Sequence, residues 1–73
     1  MDSKNLVDAR GLSCPEPAML AREAILEAKQ GTVVVLVDST TSRNNVTRTA
    51  QMNGWIVTAE DEPDGSVRLT LTK

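Results

Sequence analysis

The 73-residue sequence contains one cysteine, no histidine, no phenylalanine or tyrosine, and a single aromatic residue, Trp55. One cysteine without histidine excludes an internal disulfide, a CxxC redox pair, a Cys/His zinc site and any Cys-His or Ser-His catalytic pair. No metal site is expected. No stretch approaches the roughly 18 apolar residues of a membrane span, and the start, MDSKNLVDARG, has no apolar signal core. The cytoplasm is the expected compartment. The chain also lacks a strong charge of one sign: its net charge of −2, with both signs interspersed, argues against direct nucleic-acid binding, which needs a concentrated basic face.

Residues 1–73 are therefore expected to form a single domain, near the size at which one core supplies only about 3–5 kcal/mol, and a monomer. With so few aromatics the interior must be built from Val, Leu, Ile, Ala and Met. NLVDA, residues 5–9, reads as a short strand, followed by a loop turned at Gly11. A first helix is expected from about Pro15 to Ala28, stopping before Gly31. TVVVLVD, 32–38, is β-branched and apolar throughout, as in a central strand. A second helix follows from about Ser42 to Asn53, ended by Asn53-Gly54, with Val46, Ala50 and Asn53 on one face. WIVTAE, 55–60, and SVRLTLT, 66–72, read as strands joined by the turn-rich EDEPDG. The order β-α-β-α-β-β predicts an α/β (α+β) two-layer sandwich: a four-stranded mixed sheet with both helices on one face.

The single thiol lies in DARGLSCPEPAML, between a glycine turn and two prolines. If Ser13 caps the helix, Ser13 and Glu16 form a capping box, but Cys14 then takes helical dihedrals that the following proline disfavours. Cys14 is the preferred N-cap. Pro15 at N1 and Pro17 at N3 then remove only N–H groups without intrahelical partners, and both fix the chain direction at the helix entrance. The helix dipole favours an anion there by about 0.3–1 kcal/mol, lowering a thiol pKa of about 8.5 by roughly 0.2–0.7 unit. Glu16 opposes this, and Arg10 supports it if the loop folds back, which makes Arg10 a candidate thiolate stabiliser. Because the prolines remove amides, the site is a poor nest for a free anion. It suits sulfur exchange with another protein better.

These residues carry a resemblance. DARGLSCPEPAML, with its C-P-x-P motif at Cys14, Pro15, Glu16 and Pro17 preceded by Asp8, Gly11 and Leu12, is similar to the TusA/SirA/YedF family of sulfur carrier proteins. The resemblance implies the same element order, similar to the C-terminal domain of a translation initiation factor. It also implies that Cys14 accepts sulfane sulfur as a persulfide and passes it to a partner protein. The donor it implies is a cysteine desulfurase or a rhodanese-like protein. Delivery runs toward tRNA thiolation, molybdenum-enzyme maturation or sulfur oxidation, and no cofactor is implied. VDSTTSRNNVTRTAQMNGW resembles the YedF-type branch, whose members include fusions to a DsrE-like domain linked to selenium metabolism; this sequence contains no such domain, and a DsrE-like protein is a possible acceptor.

On a helical wheel Leu20, Ala21, Ala24, Ile25 and Ala28 face the sheet, whereas Met19 and Leu26 lie between the Arg22/Lys29 and Glu23/Glu27 edges. Met19 and Leu26 are thus candidates for partner docking. Arg43 and Arg48 read as a solvated face. Glu60 to Asp64 lack the spacing of a calcium loop. The competing function is a non-catalytic regulatory or protein-binding module in which the cysteine is incidental; a thiol peroxidase would need an outside resolving thiol, and RNA binding rests on fold resemblance alone.

Overall fold

The computed structural model describes residues 6–12 and 16–73. Its elements run β1 (Leu6–Asp8), α1 (Glu16–Ala28), β2 (Thr32–Val37), α2 (Thr40–Met52), β3 (Ile56–Asp61) and β4 (Val67–Thr72). The strands form one mixed sheet in the order β1-β2-β4-β3. β1 pairs parallel with β2, and β4 runs antiparallel to both of its neighbours. This is the expected two-layer architecture with both helices on one face.

Alternation along β2 and β4 decides which face carries the core. Val33, Val35 and Val37 are fully buried, as are their cross-strand neighbours Leu69 and Leu71. Against them pack Ala21 and Ile25 of α1 and Val46 and Ala50 of α2, with Ala9 and Trp55 closing the ends. Burial of an Ile or Leu side chain of this kind contributes about 1.5–3 kcal/mol. The intervening positions Val34 and Leu36 are only half-buried. The uniformly apolar β2 is thus central in the sheet but packed on one face only.

The start of α2, the start of β3 and the residue that terminates α1 differ from expectation. Helix α2 begins at Thr40, two residues early, because Ser39 is its N-cap: extended at φ −146°, it accepts a 3.1 Å hydrogen bond from the Ser42 amide through Oγ. Ser42 is instead buried within the helix. Strand β3 starts one residue later than expected, since the Trp55 amide donates to the Ala50 carbonyl (3.0 Å) and the Gly54 amide to that of Gln51 (3.0 Å). This double bond pattern, with Gly54 at φ +84°, is a Schellman closure that consumes the Trp55 N–H before the ladder begins. Helix α1 ends at Ala28 as expected, but the left-handed residue after it is Lys29, at φ 69°. Gly31 instead exchanges hydrogen bonds with Lys73, 3.2 and 3.1 Å long, at the entry to β2.

Candidate functional site

Cys14, Ser13 and Pro15 lie outside the described residues, and so does the choice of Cys14 as helix cap. In the sequence these three residues link Leu12 to Glu16, both of which are described. The site can therefore be built from the two ends of that link.

The loop end is held firmly. Ala9 extends the parallel pairing of β1 by donating to the Leu36 carbonyl at 2.8 Å, and the Leu12 amide closes a turn onto Ala9 at 3.4 Å. Gly11 occupies the third position of that turn at φ +80°, a conformation that a type II turn demands there and that side chains resist. Its amide donates a 2.8 Å hydrogen bond to Asp38 Oδ2, at the exit of β2. Arg10 folds back on Asp8, with Nε and Nη2 each 2.9 Å from one carboxylate oxygen, and reaches Asp64 through Nη1 at 3.2 Å. The loop that leads to Cys14 is thereby tied both to β2 and to the β3–β4 turn.

Charge follows this geometry. The Arg10 guanidinium, bonded side chain to side chain, holds the Asp8 carboxyl at about 2, against an ordinary 3.8. Asp64 is lowered as well, chiefly because its carboxylate accepts from the Ser66 hydroxyl (2.6 Å) and amide (3.0 Å). Arg10 is raised beyond its already high value by the same partners. All these groups face solvent, so the pairs act as a weak clip.

The helix end presents Glu16 outward and buries Pro17. Leu20, Ala21, Ala24, Ile25 and Ala28 do face the core, whereas Met19 and Leu26 are 56% and 49% exposed. Between loop and helix lies an open depression of about 300 Å³, lined by Leu12, Glu16, Met19, Leu20 and Glu23. Two of its walls, Leu12 and Glu16, flank the undescribed residues 13–15 in sequence. Arg43 is half-buried and Arg48 exposed on α2. Among the described residues no group of His, Cys, Asp or Glu is placed to hold a metal ion, and no helix is long and apolar enough to cross a membrane.

The family profile described as "Sulfurtransferase TusA" matches residues 5–73, nearly the whole chain. The chain belongs to the TusA family. The crystal structure of a SirA-like protein from Desulfitobacterium hafniense superposes with a TM-score of 0.87 at 32% identity, covering 92% of this chain and 93% of that one. A sulfur carrier protein TusA from Buchnera aphidicola subsp. Baizongia pistaciae (strain Bp) is 48% identical over 33 residues, 45% of this chain. That match spans 42% of the curated relative's length.

Within this TusA-family chain, sequence reasoning did not find Asp38 and Asp64 as anchors of the motif loop, nor Leu12, Leu20 and Glu23 as walls of the depression. A signal for Asp38 existed. If β1 and β2 pair in parallel with Asp8 opposite Leu36, residue 38 comes abreast of residue 10, where a carboxylate can meet a turn amide. Asp64 had no such signal, because its approach to Arg10 depends on how the β3–β4 turn curls over the sheet edge.

Proposed function

We propose that this protein is a sulfur carrier that takes sulfane sulfur on Cys14 as a persulfide and hands it to a partner protein. The observation that carries the reading is the TusA-family match across residues 5–73, which includes the chain's one thiol inside its C-P-x-P segment. In the loading step the Cys14 thiolate attacks the outer sulfur of a donor persulfide, R–S–SH. A new S–S bond forms at Cys14, the donor's S–S bond breaks, and the donor leaves as the thiolate R–S⁻, so protons and electrons balance without a cofactor. Unloading is the same exchange onto an acceptor thiol.

The supporting residues divide this work. Gly11 makes the turn that aims the link, and Pro15 and Pro17 stiffen the helix entrance while removing amides that would hold a free anion. Arg10 is the cation nearest in sequence to the thiol. With its charge shared between Asp8 and Asp64, it steadies the loop more than it draws on the thiolate. Glu16 is a negative charge two residues from the thiol in sequence, and Met19 and Leu26 offer the apolar contact through which donor and acceptor dock. The donor is a cysteine desulfurase or rhodanese-like protein; the YedF-like second half suggests a DsrE-like acceptor.

The test is mass spectrometry of the Cys14 peptide after incubation with a cysteine desulfurase and L-cysteine. The expected gain is about 32 Da, one sulfur atom, and it disappears in Cys14→Ser. A chain that never gains sulfur from any persulfide donor, and whose Cys14→Ser variant keeps its cellular role, is a binding module instead.

A further inference from the structure

The depression between the Arg10–Leu12 loop and α1 is walled unequally, and the inequality has a chemical meaning. Among the described residues its apolar walls are Leu12, Met19 and Leu20, and the remaining lining is two carboxylates, Glu16 and Glu23. Glu16, Glu23 and Glu27 recur at intervals of seven and four residues on α1, so with 3.6 residues per turn they lie within about 40° of one another around the helix. All three are exposed. The ion pairs formed among the described residues are those of Arg10 with Asp8 and Asp64 and of Arg68 with Glu60 and Glu62. None of them draws on this stripe. Arg22, the cation of the same helix stretch, projects about 100° around from Glu23, on the far side of Met19.

The geometry points to a partner's basic, apolar-centred segment as the occupant of this depression, an inference that rests on the sulfur-carrier reading and names the chemistry of its partner. Glu16 and Glu23 are two helical turns apart, about 10.5 Å at 1.5 Å per residue. A chain in the polyproline II conformation covers about 9.3 Å in three residues, one full turn, so its first and fourth side chains point the same way. A segment with Lys or Arg at its first and fourth positions and apolar residues between them therefore meets both carboxylates while placing a side chain against Leu12, Met19 and Leu20. Such a segment contacts Leu12 and Glu16, the described residues that flank Cys14 in sequence. Electrostatic complementarity of this kind selects partners and speeds encounter more than it adds affinity.

The experiment is an NMR titration of the isotopically labelled full chain with the peptide Gly-Lys-Leu-Leu-Arg-Gly, alongside Gly-Glu-Leu-Leu-Glu-Gly and Gly-Lys-Ser-Ser-Arg-Gly. The expected result is that the first peptide shifts the amides of Leu12, Glu16, Met19, Leu20 and Glu23, and that both controls bind more weakly. The double variant Glu16→Gln/Glu23→Gln, both positions being exposed, should weaken binding roughly two- to thirtyfold, and added salt should act in the same direction. The proposal is overturned if the acidic peptide binds equally, if the double variant binds unchanged, or if the shifts fall on the open sheet face around Leu6 and Ile56. It is also overturned if the same amides move when the protein alone is concentrated, since a second copy is then the occupant. Loading of Cys14 by inorganic polysulfide, read by mass in the same samples, needs no docking. A chain that loads but ignores the peptide refutes the groove alone, and one that binds the peptide but never loads refutes the sulfur reading alone.

Discussion

Helices α1 and α2 have the same length, 13 residues, and pack side by side on one face of the sheet, yet their ends are secured by opposite means. Helix α2 is closed by its own neighbours: the Ser39 hydroxyl caps its start, and Gly54 and Trp55 close its end on Gln51 and Ala50. The approach to α1 is instead secured by residues far away in the chain. Gly11 leans on Asp38, 27 residues on, and Arg10 on Asp64, 54 residues on. At its other end Lys29, a residue with a side chain, takes the left-handed turn that glycine takes after α2. The difference teaches that α2 is a self-terminating structural element, whereas the entrance of α1 exists as built only when β2 and the β3–β4 turn are already in place.

That contrast breaks first at the α2 terminus. Gly54→Ala should destabilise the protein by about 1–2 kcal/mol in denaturant unfolding, from the left-handed backbone alone. A Cβ there meets only ordinary contact, 3.7 Å from the Lys73 side chain. Next in size, Asp38→Ala removes the acceptor of the Gly11 amide and should cost about 0.5–1.5 kcal/mol. Hydrogen exchange at Gly11 should quicken while the α2 amides keep their protection, and Asp38→Asn, which retains an acceptor oxygen, should restore much of the difference. Accelerated exchange in α2 as well would erase the distinction between local and distant anchoring.

Smaller and of opposite sign, Lys29→Gly should stabilise the fold by up to about 1 kcal/mol, because it relieves the left-handed strain that α2 avoids. The smallest effect concerns the Asp8–Arg10 clip. Asp8 titrates at about 2 when folded, below the ordinary 3.8, so its pairing contributes fully above the higher value and is lost as pH falls through the lower. An NMR titration should find the Asp8 midpoint near 2, and Arg10→Ala should return it toward 3.8. A midpoint that does not move would mean that the clip is not what holds the loop.

Legibility in the sequence tracked the range of the interactions involved. The element order was readable because it depends on short-period patterns: Val33, Val35 and Val37 against Leu69 and Leu71, or Ala21 and Ile25 on one helix face. The outward placement of Met19 and Leu26 was readable for the same reason. The start of α2 was misplaced by two residues because Ser39, Thr40, Thr41 and Ser42 are all able caps, and only packing decides which one is buried. Trp55 has strong strand propensity, but the hydrogen bond that takes its amide belongs to the helix before it.

At the motif itself, the chain alone specified a solitary thiol, a glycine turn and a proline-stiffened helix start, because each follows from the dihedral limits and bonding capacity of residues a few positions apart. Tertiary structure alone decided that Asp38 and Asp64 hold that turn, and that Leu12 meets Met19 and Leu20 around a depression edged by Glu16 and Glu23. Contacts of that range arise only when the sheet register and the curl of the last hairpin bring distant backbone together, and those depend on the packing of the whole core.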